Sequence, residues 1–168
     1  MPANPPFEQY VGYLLKRAQH ALRTEMDRSL NLQGLTTPQY VVLAALESYP
    51  GISSAELARR CFVTPQTMFR LVAGLTQRGL VSRRALPTHG RSLPADLTPE
   101  GLRKVRACHS RATEVERRML APLSGVERRL LARMLRECAE ALSARRGRRE
   151  SLMPGPGFEP GNSCESRS

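Results

Sequence analysis

The side chains best suited to chemistry in this sequence lie within two helical turns of one another. Thr64, Gln66, Thr67 and Arg70 combine short hydroxyl and amide groups with a long cation, the set that exchanges hydrogen bonds with base edges in a DNA major groove. Thr64 followed by Pro65 is a helix cap with proline at the first helical position. The amides of that first turn, at the positive end of the helix dipole, suit a phosphate. Two further cations follow, Arg83 in a strand-like run and Arg91 at a turn-rich tip. Arg91 there is placed to enter a minor groove.

Other chemistries find no residues to carry them. The sequence holds no Gly-rich phosphate loop, no G-x-S-x-G and no H-E-x-x-H, and its carboxylates are sparse and dispersed, which argues against catalysis. His20, His89 and His109 are scattered, with no pair one helical turn apart. Cys61, Cys108, Cys138 and Cys164 form no C-x-x-C pair. A metal site, a cofactor and a disulfide framework are therefore not expected, and a reduced, cytoplasmic setting is. Cys61, Cys108 and Cys138 fall on apolar stripes and read as inert core thiols.

The elements that must position the candidates follow from apolar spacing and caps. Phe7, Tyr10, Val11, Leu14, Leu15, Ala18, Leu22, Met26 and Leu30 recur at three- and four-residue steps and predict a long amphipathic helix. Thr37-Pro38 predicts the cap of a second, mostly buried helix running to Ser48. Ser53-x-x-Glu56 is a capping box for a short third helix. Cys61-Phe62-Val63 separate it from the helix that Thr64-Pro65 opens, and Gly79 suits that helix's left-handed cap. The stripe Met68, Leu71, Val72 and Leu75 faces inward, opposite Gln66, Thr67, Arg70, Gly74 and Gln77. Leu80 to Ala85 and Ser92 to Leu97 read as a hairpin, with Pro94 keeping the second strand at an edge. Thr98-Pro99 opens a fifth helix, Pro122 breaks it, and the box Ser124-x-x-Glu127 opens a sixth.

The chain of 168 residues is enough for one compact domain with a tail. Its formal net charge of +11 favours a polyanionic partner. That surplus is uneven: residues 51–100 carry seven basic against three acidic groups, and residues 101–149 fourteen against five. The longest apolar run, Tyr40 to Leu46, is too short to span a bilayer. The Met1 to Pro6 segment has no signal-peptide pattern.

Two short helices joined by a three-residue turn, then a hairpin, predict a winged helix-turn-helix. The fold class expected is mainly α with a small β-hairpin wing, the reader flanked by N- and C-terminal dimerisation helices. The parts fall at residues 7–34 (N-terminal dimerisation helix), 35–100 (DNA-binding domain), 101–147 (C-terminal dimerisation helices) and 148–168 (disordered tail). The flanking helices carry more apolar stripe than so small a reader needs. A second copy would cover it and set two reading helices about 34–36 Å apart on a palindromic site. A bundle formed within one chain is the alternative. Two other functional readings stand beside specific DNA recognition: non-specific nucleic-acid binding, and a winged helix acting through protein contact.

In order and in motif the sequence resembles the MarR family over residues 7 to 145. Carrying the resemblance are Leu35-Thr36-Thr37-Pro38-Gln39-Tyr40, Leu57-Ala58-Arg59-Arg60, Thr64 to Leu75, Arg78-Gly79-Leu80-Val81-Ser82-Arg83 and Leu97-Thr98-Pro99-Glu100-Gly101. The resemblance implies a homodimeric transcriptional regulator, usually a repressor, released from double-stranded DNA by a small ligand or oxidant. It implies base contacts from Thr64, Pro65, Gln66, Thr67 and Arg70, with Arg83 beside them, and a minor-groove contact from Arg91. The family's wing reads Asp-x-Arg, whereas this one reads His89-Gly90-Arg91, so the arginine is kept and its usual anchor is not. The implied ligand lies between the dimerisation helices and the reader, around Tyr13, His20 and Tyr40. The cysteine that peroxide-sensing relatives carry near the start of the first helix is absent here.

Overall fold

The computed structural model describes residues 5–83 and 95–150, with residues 144–150 as helix backbone only. The expected wing tip, with His89, Arg91 and Pro94, and the tail with Cys164 lie outside the described residues. A 3-10 turn at Phe7–Gln9 leads into α1 (Val11–Asn31), α2 (Thr37–Ser48), α3 (Ser54–Arg60), α4 (Pro65–Gln77), β1 (Val81–Arg83), β2 (Ala95–Leu97), α5 (Pro99–Met119) and α6 (Gly125–Glu150). Among the described residues, six α-helices and one two-stranded antiparallel sheet make a mainly α fold with a small hairpin. No helix among the described residues is long and apolar enough to cross a membrane.

Contacts divide the chain into two units, residues 1–121 and 122–168. In the first, Leu30, Leu35, Val42, Leu43, Leu57, Met68, Leu75, Val105 and Cys108 bury their side chains together. Each such aliphatic side chain contributes about 1.5–3 kcal/mol relative to exposure. α1 packs along α5, and α2 lies among α1, α3, α4 and α5. The reader, α1 and α5 thus share one core.

Most helix starts follow the sequence pattern. Thr64, Ser53 and Thr98 each accept the amide three residues on, from Thr67, Glu56 and Gly101. Two starts differ from expectation in detail. α2 begins one residue early: Thr36 stands at the cap, its own amide donating to Gln39 Oε1 at 3.1 Å. The Thr37 amide is drawn away by Asp27 Oδ1 of α1, at 2.9 Å. At α3 half of the expected box is missing, because the Glu56 carboxylate turns to Arg59 and Arg60.

α4 ends as its glycine requires. Gly79 takes φ +67°, and the Leu80 amide returns to Leu75 O at 3.0 Å, closing a six-residue left-handed cap. Arg78 beside it donates to Gly34 O at 2.8 Å, tying the end of α4 to the α1–α2 loop. The hairpin pairs Val81 with Leu97, Ser82 with Asp96 and Arg83 with Ala95. Thr98 fastens it to α4 and α5, its hydroxyl donating to Gly79 O and its amide to Leu80 O.

The second unit is described as α6 and its cap. The Ser124 amide donates to Glu127 Oε2 at 2.7 Å, and the Glu127 amide to Ser124 Oγ at 3.3 Å. Cys138, expected on an inner stripe, is exposed, because α6 is the sole described element of its unit.

Candidate nucleic-acid interface

α3, the turn at residues 61–64 and α4 present one edge of the first unit to solvent. Met68, Val72 and Leu75 hold α4 on the core, and Thr64, Pro65, Gln66, Thr67 and Arg70 are all exposed. The helix start is closely ordered. Thr64 Oγ1 accepts the Thr67 amide at 3.2 Å and lies 2.9 Å from the Thr67 hydroxyl. Pro65 has no N–H, so the Gln66 amide is the first-turn donor left for a phosphate. Thr64 therefore acts as the cap that aims that amide, and Gln66 and Arg70 project from the same edge one turn apart. Arg83, exposed on β1, lies beside them with its guanidinium carbon 5.0 Å from the centroid of the Phe69 ring.

The structure thus brings together Thr64, Pro65, Gln66, Thr67, Arg70 and Arg83. Phe69 is the member of this edge that sequence reasoning passed over. Its spacing from Gln66 was legible, but the face was read for polar groups alone.

A cavity of about 490 Å³ opens behind the reader, lined by Gln19, Leu22, Arg23 and Met26 of α1, Thr37, Pro38 and Val41 of α2, Cys61, Phe62 and Val63 of the turn, and Leu71 of α4. The α1 spacing of its lining is that of one helical face, which was the signal available in the sequence. Tyr13, His20 and Tyr40 stand on α1 and α2 but do not line it. Phe62 holds φ +54° with its side chain 95% exposed, a left-handed conformation that costs a non-glycine residue about 1 kcal/mol or more. Burial pushes the Cys61 and Cys108 thiols up from their ordinary range, which leaves little thiolate for redox chemistry.

Tyr40 instead joins α2 to α5. Its hydroxyl is 3.0 Å from His109 Nδ1, and His109 Nε2 is 2.6 Å from Glu47 Oε2. With Glu47 ionised, Nε2–H donates to the carboxylate and Nδ1 accepts from Tyr40. Arg106 reaches the other Glu47 oxygen at 3.3 Å. The His109 hydrogen bond, aided by Arg106, holds the Glu47 carboxyl below its usual range, while burial first of all pushes the Tyr40 phenol up. A carboxyl that is more acidic when folded contributes stability above about pH 5 and loses it as pH falls through the carboxylate range. Glu47→Gln should therefore lower stability at pH 7 by about 1 kcal/mol or less, since the pair is partly solvated. Urea melts between pH 3 and 7 should show a shallower acid decline in the variant than in the parent.

A family model described as MarR family matches residues 33–92, beginning in the α1–α2 loop. The HTH-type transcriptional repressor Rv2887 of Mycobacterium tuberculosis is 42% identical over 125 residues, covering 74% of this chain and 90% of that protein. The chain belongs to the MarR family. Structural similarity agrees with this membership. The crystal structure of Rv2887 with salicylic acid matches at a TM-score of 0.64 and 38% identity, covering 82% of this chain and 99% of that one. The Rv2887 structure with DNA matches at 0.64 and 37%, covering 77% and 97%. As a MarR-family chain it is a transcriptional regulator built on a winged helix, and the α3–α4 edge is its helix-turn-helix.

Proposed function

We propose that this MarR-family protein is a homodimeric, cytoplasmic repressor that binds double-stranded DNA sequence-specifically, is released by a small ligand, and is not an enzyme. The α4 edge carries the reading: an apolar stripe locked to the core and, opposite it, Gln66, Thr67 and Arg70 exposed beside a capped helix start. Gln66 and Arg70 read bases, the Gln66 amide and Arg83 hold phosphates, and Thr64, Pro65 and Thr67 set the start of the helix. Arg91 is assigned to the flanking minor groove. The DNA complex of Rv2887 supports the same docking here.

Pairing is supported by apolar side chains that each unit leaves exposed. Phe7, Tyr10, Val11, Leu14 and Leu15 do so at the start of the first unit, and Val126, Leu130, Met134, Leu135 and Leu142 along α6. A second copy would cover such faces and match a palindromic site. Ligand entry is supported by the cavity behind the reader, whose walls include the turn just ahead of α4. Its volume suits a small organic molecule, and Rv2887 has been crystallised with salicylic acid. Tyr13, His20 and Tyr40 stand on the two helices that carry most of its lining.

The test is a salt titration of binding to the DNA upstream of the protein's own gene and to random duplex. Preference for the upstream DNA at every salt concentration, with parallel salt slopes, is the result expected. Equal affinities would favour a non-specific binder and defeat the proposal. Sedimentation at micromolar concentration should give twice the chain mass of 18.7 kDa.

A further inference from the structure

We infer that Phe69 is a specificity-determining residue, its ring reading the C5-methyl group of a thymine in the major groove while it steadies Arg83. The inference rests on the DNA-binding reading and adds to it the identity of one base. A solitary exposed apolar side chain on a protein surface requires no explanation, but the situation of Phe69 is particular. It lies on α4 between Gln66 and Arg70, on the solvent side of the helix, and is 62% exposed. The chain has four phenylalanines and no tryptophan, so a ring spent on this edge is a large share of its aromatic surface.

Arg83 makes the position more specific. Its guanidinium carbon lies 5.0 Å from the ring centroid, within range of a cation–π attraction. β1 is thereby tied to α4 at the edge that meets DNA. The ring cannot donate or accept a hydrogen bond, so the major-groove feature it can recognise is the one apolar group displayed there, the thymine methyl. With Arg83 on a phosphate and Arg70 on a base edge, the ring between them faces the groove floor and is not left in water.

Selection from a randomised duplex pool would first give the preferred site. Each thymine in it would then be replaced singly by deoxyuridine, which removes only the methyl group, and affinity would be read by fluorescence anisotropy. At one thymine of each half-site the parent protein should bind the deoxyuridine duplex about fourfold more weakly, the loss expected for one methyl leaving an apolar contact. Phe69→Ala should bind the thymine and deoxyuridine duplexes equally, with an unchanged melting temperature because the side chain is exposed. Phe69→Leu should retain most of the discrimination, since an aliphatic side chain also meets the methyl. A parent protein indifferent to deoxyuridine at every position overturns the inference, as does a Phe69→Ala variant that still discriminates at the same thymine. A uniform loss with all duplexes, matched by Arg83→Ala, would also overturn it, leaving the ring only a support for a phosphate contact. If no site emerges from the pool, sequence-specific binding fails first and the inference with it.

Discussion

Gly101→Ala should destabilise the protein by about 3 kcal/mol or more, although alanine is the better helix former. A Cβ at Gly101 would lie 1.9 Å from Leu80 O and 2.9 Å from Leu80 C. The obstacle is buried backbone, with Leu80 only 4% exposed, so a rotamer change cannot relieve it. Leu80 O also accepts the Thr98 amide, and the Leu80 amide completes the cap of α4. Moving that carbonyl disturbs the end of α4, the root of the hairpin and the start of α5 together. Helix propensity alone predicts the opposite sign, a gain of about 0.5–1 kcal/mol. Gly74→Ala provides the control: it is helical with nothing within 4 Å of the added carbon, and should show that gain. Urea unfolding of both variants beside the parent tests the claim. A neutral or stabilised Gly101→Ala would mean that α5 can retreat from Leu80 at little cost.

Arg70→Ala should weaken specific binding by about 1–3 kcal/mol per half-site and relax selectivity at one base position. Arg70 stands exposed one turn beyond Gln66 on α4, where on the proposed docking its guanidinium would reach a guanine edge. Loss of such a contact is felt only where that guanine is present. A phosphate contact instead weakens every duplex alike and reduces the salt slope by about one. Measuring affinity for the selected site, for single-base variants of it and for random duplex separates these outcomes. A uniform loss would reassign Arg70 to the backbone. Stability should be unchanged, since no hydrogen bond or ion pair of the Arg70 side chain holds the described fold together.

The parts of the fold that a few neighbouring residues determine were legible in the sequence. Thr64-Pro65, Thr98-Pro99 and Ser53 cap the helices they were expected to cap, and Gly79 takes the left-handed turn, because each uses partners within five residues. The departures came where another side chain competed for a partner, from a distant helix or from one turn on. Thr37 was expected as a cap, but Asp27 on another helix takes its amide, and Thr36 serves instead. The Glu56 half of a capping box yields to two arginines one turn on. The bond from the Tyr40 hydroxyl to His109, 69 positions away, had no local signal either. The polar half of the exposed α4 edge was visible from residue type, and Phe69 beside it was not. Nothing local marks an exposed Phe69 as different from a core phenylalanine until the backbone turns it out of the core that Met68 enters and sets it beside Arg83.

The run from Tyr40 through His109 to Glu47 begins and ends on α2, with its middle member on α5. A single bond would let one helix pivot on the other. Two anchorages on α2 seven residues apart, about 10 Å along the axis, converge on the one imidazole of α5 and resist sliding of either helix along the other. The two helices should therefore travel as one body in any transition that opens or closes the grip on DNA, and the give in such a transition must come from elsewhere in the chain.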